Sequence, residues 1–204
     1  RQSAPAARRN GAAICAALVE LAPQKGRALE LASSTGEHVL RFAEALPGLT
    51  WQPTEPDAAR RASIAAWTAS AGLPNIRPPR PLDACAPGWG AEEGPADLIV
   101  LINLLHLIPR IGAEILLREV AAALSPGGRF CLYGPFLRDG RATSAGDAAF
   151  DAELRRQDPE IGYKDLAWVQ DTAVAAGLTP GAPIAMPANN LLLPFARDAN
   201  PASA

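Results

Sequence analysis

The sequence predicts an α/β protein built on a doubly wound, mostly parallel sheet, and three observations support this fold class. Segments of strand character and helix character alternate along the chain. The run at 98–102 is continuously apolar, as expected for a strand buried on both faces of a parallel sheet. The length of 204 residues fits one domain, which we predict to span residues 1–204.

The individual elements follow from the period of the apolar residues. Apolar side chains at every third or fourth position indicate helices, whereas short apolar runs bounded by Gly and Pro indicate strands. The first half yields a helix at 14–21, a strand at 27–31, a helix at 39–46, a strand at 50–53, a helix at 64–71 and a third strand at 75–78. The second half yields a strand at 98–102, a helix at 116–124, a strand at 129–133 and a helix at 165–176. Two final apolar runs, 182–186 and 191–196, predict an antiparallel hairpin.

Composition and charge restrict the classes of partner. Hydrophobic residues make up 49% of the chain and charged residues 20%, the mixture of an ordinary folded domain. The net charge of −2 lacks the basic footprint of a nucleic-acid-binding protein. The longest apolar stretch, 98–109, is shorter than the roughly 20 residues that span a bilayer. We therefore expect neither nucleic acid nor a membrane as partner, and the sequence carries no signal for the oligomeric state.

Cysteine usage and the first residues bear on the compartment. Cys15, Cys85 and Cys131 are odd in number, far apart and set among apolar residues, which predicts reduced, buried thiols. Residues 1–10 lack the apolar core of a secretory signal. We therefore expect a cytoplasmic protein, with an organelle transit peptide as the open alternative because the sequence does not begin with Met.

Polar residues collect after the predicted strands, where open α/β sheets bind ligands. An acidic residue about 20 positions after a small-residue turn can accept hydrogen bonds from a ribose. Gly36, at the end of such a turn, and Glu55 are 19 positions apart. From this spacing alone, an adenosine-containing ligand and an ordinary solvated charge at a helix start are equally good explanations.

The same turn carries a resemblance. The segment from Glu30 to Gly36 resembles the first motif of class I S-adenosylmethionine-dependent methyltransferases, acidic-x-Gly-x-Gly-x-Gly, with Ala32 and Ser34 in place of two glycines. The whole chain resembles the poorly characterised methyltransferase-like protein 26 family and its bacterial relatives. The matching segments are 7–10, 31–38, 51–57, 64–67, 132–136, 150–159 and 186–190.

The resemblance implies a Rossmann-like sheet of seven strands with an antiparallel C-terminal hairpin, helices on both faces, and S-adenosylmethionine as cofactor, with S-adenosylhomocysteine as its product. It implies that Glu30 and Gly36 contact the methionine end, and Glu55 the ribose. The adenine edge would meet Asp83 and Ala84, with Asn103 beneath the cofactor. The expected cofactor-binding residues are together Arg9, Asn10, Glu30, Ala32, Ser33, Gly36, Glu55, Pro56, Asp83, Ala84, Asn103 and Leu104.

The acceptor site is expected at the same edge of the sheet. His106 follows the strand at 98–102 and is a candidate catalytic base, because its reference pKa is about 6.5; a packed loop histidine is the alternative. Tyr133, at the end of the next strand, is the second candidate catalytic residue. Phe136, Asn189 and Asn190 are expected to bind the substrate, although turn chemistry explains the two asparagines equally well.

Two segments are candidate lids, and other features have less specific interpretations. Residues 1–25 are expected to form an N-terminal helix and lid, and 137–165 a substrate lid; a frayed terminus and a solvated helical face are the alternatives.

His38 is expected to pack. With two histidines and no Cys or His pair at ligand spacing, no metal site is expected. The tryptophans at 51, 67 and 89 would form either an aromatic wall or core.

Three functions remain open on these grounds. We predict an S-adenosylmethionine-dependent methyltransferase acting on an unidentified small-molecule acceptor. A non-catalytic protein that keeps the fold and acts through partners is the alternative, favoured by the two missing glycines. A nicotinamide-dependent oxidoreductase is weaker, because the chain lacks Gly-x-Gly-x-x-Gly spacing.

Overall fold

The computed structural model describes residues 5–199, with side chains from Arg9 onward, and within this range the chain forms seven α-helices and seven β-strands. The helices are α1 (Pro5–Leu21), α2 (Glu37–Ala45), α3 (Ala58–Ala71), α4 (Trp89–Glu93), α5 (Arg110–Ala123), α6 (Ala145–Gln157) and α7 (Leu166–Ala175). The strands are β1 (Gly26–Leu31), β2 (Leu49–Pro53), β3 (Ala96–Ile102), β4 (Leu124–Gly134), β5 (Thr179–Pro180), β6 (Ile184–Ala185) and β7 (Leu191–Ala196). Short 3₁₀ turns at Leu105–Leu107 and Pro187–Asn189 precede α5 and β7.

The strands of the described chain join in one sheet of order β2-β1-β3-β4-β7-β5, with β6 beside β5 on the outer edge of β7. Strands β2, β1, β3 and β4 are parallel, whereas β7 runs antiparallel to β4 and to β6. The chain leaves β1 for β2 on one side and later enters β3 on the other side. The winding therefore reverses at β1, and the predicted fold class is confirmed, including the C-terminal hairpin.

Helices cover both faces of the sheet and divide the core in two. Leu98 and Val100 of β3 pack in the cluster that includes residues of α1, α2 and α3. Ile99 and Leu101 point to the other cluster, beneath α4, α5 and α7. This alternation buries β3 on both faces, as its apolar run predicted. Trp51 and Trp89 belong to these cores, at 0% and 6% exposure, rather than to an aromatic wall.

The prediction of a third strand at 75–78 is wrong, because the segment is extended but does not form a regular strand. The segment runs beside β2 but makes only isolated parallel bridges there, through Ile76 and Arg80. Pro78 and Pro79 lie between these two residues and have no N–H group to donate to a ladder. The sheet edge is therefore covered by an extended segment instead of a regular strand.

Two further boundaries differ from the expected ones. Strand β4 begins at Leu124, so the turn-like residues 125–128 lie within it, where the pairing with β3 shifts register between Ala96 and Leu98. Helix α6 occupies the middle of the predicted lid segment 137–165. The start of β4 is decided by its pairing with β3, whereas α6 is capped locally by Ser144 and buries only Leu154, which agrees with the alternative of a solvated helical face.

Candidate functional site

A cavity of about 310 Å³ opens at the carboxyl ends of β1, β2 and β3, and we call it the strand-end cavity. It lies where the winding of the sheet reverses, which is where open α/β sheets bind ligands. Its volume is within the range of small-molecule sites, about 300–1,000 Å³. Its lining consists of Glu30, Leu31, Ala32, Ser33, Ser34, Thr35, Glu37, His38, Glu55, Pro56, Arg60, Asp83, Ala84, Cys85, Ile102, Asn103, Leu104, Leu107 and Ile108.

The structure brings most of the expected cofactor-binding residues to this cavity. Nine of the twelve line it, namely Glu30, Ala32, Ser33, Glu55, Pro56, Asp83, Ala84, Asn103 and Leu104. Gly36 lies outside the lining but closes the adjoining turn, where its N–H donates to the carbonyl of Ser33 at 3.0 Å. Arg9 is exposed and Asn10 half-buried on α1, and neither lines the cavity.

The turn between β1 and α2 is hydrogen-bonded to the end of β2. The N–H of Ser33 donates to the carbonyl of Thr54 at 2.8 Å, and the N–H of Thr54 donates to the carbonyl of Glu30 at 2.9 Å. The N–H of Ser34 donates to Oε2 of Glu55 at 3.0 Å. These hydrogen bonds therefore fix the position of the Glu55 carboxylate relative to the turn.

This turn retains a glycine-like backbone without the glycines. Ala32 and Ser34, which replace two glycines of the first motif, have φ of 49° and 50°. Asn103, on the opposite wall, has φ of 56°. A left-handed conformation costs a residue with a Cβ atom about 1–2 kcal/mol. The cavity wall is therefore built at the expense of folding stability.

We expect Ala32→Gly to raise the free energy of unfolding by about 1 kcal/mol, because it relieves this strain. For a chain of this length the melting temperature should rise by about 2–4 °C. Thermal unfolding followed by circular dichroism measures the change. Ala66→Gly, at an exposed position inside α3, is the matched control and should lower stability by about 1 kcal/mol. A similar loss in both variants would contradict the strain argument.

The charged groups in the lining are mostly acidic. Four carboxyl groups and one guanidinium contribute to it in the described part of the chain, from Glu30, Glu37, Glu55, Asp83 and Arg60. The guanidinium of Arg60 lies 3.8 Å from Oε1 of Glu55. The electrostatics of the cavity therefore favour a ligand that carries positive charge.

Glu30 is the most deeply buried of these acids. The residue is 2% exposed, and its Oε2 atom has no hydrogen-bond partner among the described residues. Burial raises the pKa of Glu30 to about 8, a hydrogen bond with Ser33 partly opposes this rise, and the charge of Glu55 adds to it. Glu30 is therefore largely protonated at neutral pH.

His38 packs and also lines the cavity. Its ring stacks on Phe42 with the centroids 5.7 Å apart, which agrees with the expected packing role. Burial lowers its pKa to about 4, so the imidazole is neutral at pH 7. Its Nδ1 atom is buried and unpaired within residues 9–199.

His106 lies in the 3₁₀ turn after β3 and outside the lining of the strand-end cavity. Its ring packs edge-on against Phe150 and Tyr163, with both centroid distances at 6.0 Å. Burial lowers the pKa of His106 to about 4, and the charge of Lys164 adds to the effect. Its buried Nδ1 has no partner in the described chain. His106 is neutral at pH 7, and it is connected to the cavity only through its neighbour in sequence, Leu107, which lines it.

The other expected acceptor-site residues lie beyond the lining. Tyr133 is 1% exposed, its hydroxyl accepts a hydrogen bond from Nδ2 of Asn190 at 2.9 Å, and burial raises its pKa. Phe136 packs in the core at 2% exposure. Asn189 is exposed and donates through Nδ2 to Asp147 at 3.1 Å. Tyr133 and Phe136 are therefore buried against the sheet, whereas Asn189 lies in an exposed turn.

A second cavity, of about 750 Å³, lies between the start of α5, residues 137–140 and the segment joining α6 to α7. Buried Lys164 lines it and donates through Nζ to the carbonyls of Ile108 and Gly162, at 2.6 and 3.0 Å. Its other charged lining residues are Arg110, Glu114, Asp139, Arg155, Glu160 and Asp165. The mixed charge favours neither an anion nor a cation.

Sequence reasoning missed ten residues of the strand-end lining: Leu31, Ser34, Thr35, Glu37, His38, Arg60, Cys85, Ile102, Leu107 and Ile108. A signal existed for Glu37 and His38, because they begin α2 directly after the small-residue turn and helix starts often face ligands. Cys85 was expected to be buried but is half-buried. Arg60 reaches the cavity only through the placement of α3.

Two classes of feature are absent from the described part of the chain. Over residues 5–199 no helix has both the length and the apolar character to cross a membrane. No cluster of three or more His, Cys, Asp or Glu side chains in that range could hold a metal ion.

Solved structures with this fold include methyltransferases. An O-methyltransferase family protein from Burkholderia thailandensis superposes with a TM-score of 0.80 at 18% identity, covering 93% of this chain and 57% of that one. The S-adenosylmethionine-dependent methyltransferase SibL gives 0.78 at 20% identity, covering 94% and 55%. YcgJ from Bacillus subtilis gives 0.70 at 15% identity, covering 90% and 97%.

Coverage and sequence identity limit what the first two comparisons show. The chain spans a little over half the length of these two methyltransferases, and at such identities the similarity is one of fold. A family profile matches the sequence itself over residues 1–197. The chain accordingly belongs to the family described as "Protein of unknown function (DUF938)".

Proposed function

We propose that the strand-end cavity binds S-adenosylmethionine and that the protein transfers its methyl group to a small-molecule acceptor. The observation that carries this proposal is the convergence of Glu30, Glu55 and Asp83 on one cavity at the winding reversal of the sheet. The fold shared with methyltransferases supports it. A relationship to the methyltransferase-like protein 26 family forms part of the same proposal.

The residues present fit this cofactor. The unpaired Oε2 of Glu30 would gain a partner in the ammonium group of the methionine end. Glu55 accepts N–H bonds from Ser34 at 3.0 Å and Asp57 at 3.2 Å, and its carboxylate oxygens retain further lone pairs for ribose hydroxyls. Asp83, held in a turn by the N–H of Cys85 at 2.9 Å, would serve the adenine edge together with Ala84.

The cofactor, when bound, supplies an electrophilic methyl group on a sulfonium centre. The task of the protein is to hold the acceptor in line with that group and to exclude water, and orientation of this kind can supply about 7–11 kcal/mol. We propose His106 as the proton acceptor for a hydroxyl or amine substrate because it follows β3 at the carboxyl edge of the sheet; in the ligand-free protein its Nδ1 is buried and its pKa is about 4, so this role requires the acceptor to reach that atom. Tyr133, Phe136, Asn189 and Asn190 stay predicted acceptor-site residues, and segments 1–25 and 137–165 stay predicted lids.

Exposed apolar side chains at the same edge point to an acceptor with an apolar part. Leu107 lines the strand-end cavity and is 46% exposed, and Phe150, which contacts His106, is 45% exposed. Exposed apolar side chains mark ligand-binding surfaces where they form a contiguous patch, so these two support an apolar acceptor only together with the adjoining cavity.

Calorimetric titration with S-adenosylhomocysteine tests the proposal. We expect micromolar binding by the wild type, and at least tenfold weaker binding by Glu55→Ala, since hydrogen bonds to a charged group contribute about 1.5–3 kcal/mol each. Glu55→Gln keeps an acceptor for the turn and separates the loss of charge from disruption of the loop.

Glu114→Ala is the matched control, because Glu114 lines only the second cavity, and it should bind like the wild type. Absence of binding by folded wild-type protein would overturn the proposal in favour of a non-catalytic role. Tight binding of NADH in its place would favour an oxidoreductase.

A further inference from the structure

Glu30 is a buried acid that lacks a counter-ion in the described chain. Its Oε2 atom is unpaired, and the ion pairs of the described residues do not include it. In a site shielded from water, an unpaired carboxylate is strongly disfavoured. Its negative charge has to be compensated by a cation or by a bound proton.

The charged and titratable groups around the cavity do not provide this compensation. Glu55 at the end of β2, Glu37 at the start of α2 and Asp83 add negative charge. Arg60 of α3 is paired with Glu55. His38 of α2 is neutral at pH 7, because burial lowers its pKa to about 4. In the ligand-free protein, a proton is the remaining compensation for Glu30.

We propose that Glu30 keeps its proton in the ligand-free protein and releases it when the ammonium group of the methionine end enters, so that binding at the strand-end cavity is coupled to proton release. This inference rests on the proposed function. In the exchange, the O–H bond of the Glu30 carboxyl breaks, the proton goes to the buffer, and the carboxylate pairs with the ammonium group. One compensating cation replaces another, and the buried site remains near neutral.

The direction of the exchange follows from the electrostatics. Burial holds the pKa of Glu30 at about 8, so the acid is largely protonated at pH 7. A cation within about 4–6 Å lowers the pKa of a carboxyl group. The neighbouring Cys85 cannot supply the proton, because burial raises its pKa to about 11 and the thiol stays protonated with or without a ligand.

Two consequences distinguish this coupling from ordinary charge attraction. Affinity for an ammonium-bearing ligand should rise with pH below about 8, by up to about tenfold per pH unit, and then level off. A ligand that keeps the adenosine and thioether but lacks the ammonium group, such as 5′-methylthioadenosine, should bind without proton release and without this pH dependence.

Calorimetric titration at pH 7 in two buffers of different ionisation enthalpy counts the released protons. We expect S-adenosylhomocysteine to release close to one proton from the wild type, and 5′-methylthioadenosine to release none. Glu30→Gln, a neutral isostere of the protonated acid, should release none with either ligand and should still bind 5′-methylthioadenosine, which shows that its cavity is intact. Glu37→Gln removes another carboxyl group of the same lining and should keep the release.

The outcomes separate the two proposals. Binding of S-adenosylhomocysteine with the same heat in both buffers would overturn the proton coupling and leave the proposed function standing. Proton release that persists in Glu30→Gln would overturn the assignment to Glu30. Failure of the wild type to bind either nucleoside would overturn the proposed function and this inference together.

Discussion

Replacing Gly36 by alanine is expected to lower the free energy of unfolding by about 3 kcal/mol, which for a chain of this length corresponds to about 6–12 °C in melting temperature. Gly36 has φ of 94°, a region that residues with a Cβ atom rarely adopt. A Cβ atom there would also lie 2.9 Å from Cα of Ile64, in the backbone of α3. Backbone strain and a collision with the backbone of α3 at buried Ile64 therefore add.

Gly72→Ala is the matched control for this substitution. Gly72 caps α3 with φ of 65°, and a Cβ atom there would meet nothing within 4 Å. Only the left-handed backbone is penalised, by about 1 kcal/mol. Chemical denaturation of both variants measures the difference. Equal losses would show that the contact between the β1–α2 turn and α3 is looser than the structure indicates.

Relative to Glu30→Gln, the wild-type protein is expected to lose stability as the pH rises from 6.5 to 8. The folded-state pKa of Glu30 is about 8, above the ordinary 4.5, so within this window the folded state holds a proton that the unfolded state has lost. The stability of the wild type relative to Glu30→Gln then falls with pH by about 1.4 kcal/mol per unit, or about 2 kcal/mol over the window.

Other shifted groups oppose this loss at the two edges of the window, and they do so equally in the wild type and in Glu30→Gln. His38 and His106, with pKa lowered from 6.5 to about 4, make the folded protein more stable as pH rises from 4 to 6.5. Lys164, lowered from 10.5 to about 8, does the same above pH 8. Urea unfolding of the wild type and of Glu30→Gln at closely spaced pH values isolates Glu30, because the terms of the other groups cancel in the difference. A slope that is identical in Glu30→Gln would contradict the buried, protonated state, whereas Glu37→Gln should keep the wild-type slope.

Much of the fold could be predicted because its signals are local. The apolar run of β3 and the helical stripes of α2 and α5 arise from residues close in sequence, and each appeared where expected. The segment at 75–78 failed as a strand because Pro78, and Pro79 directly after it, cannot donate to a ladder. The early start of β4 depends on a register shift against β3, which is a contact between distant parts of the chain.

The candidate site divides in a similar way. Residues such as Glu55 and Asn103 could be predicted because parallel strands bring their carboxyl ends to one edge, whatever the details of packing. Tyr133 lies near the end of β4 and Phe136 just after it, yet both side chains pack into the cores, at 1% and 2% exposure. Position after a strand places the backbone at the edge of the sheet but leaves the direction of the side chain to the packing around it.

The sequence by itself determined the alternation of helices and strands, the fold class and the acidic residues at the strand ends, because periodicity and strand-end position are properties of neighbouring residues. Only the tertiary structure decided that Glu30 is buried without a partner in the described chain, that Arg60 enters the lining, and that the ring of His106 packs against Phe150. Burial and pairing depend on distances between residues far apart in sequence, and these distances set the charge states on which the proposed chemistry depends.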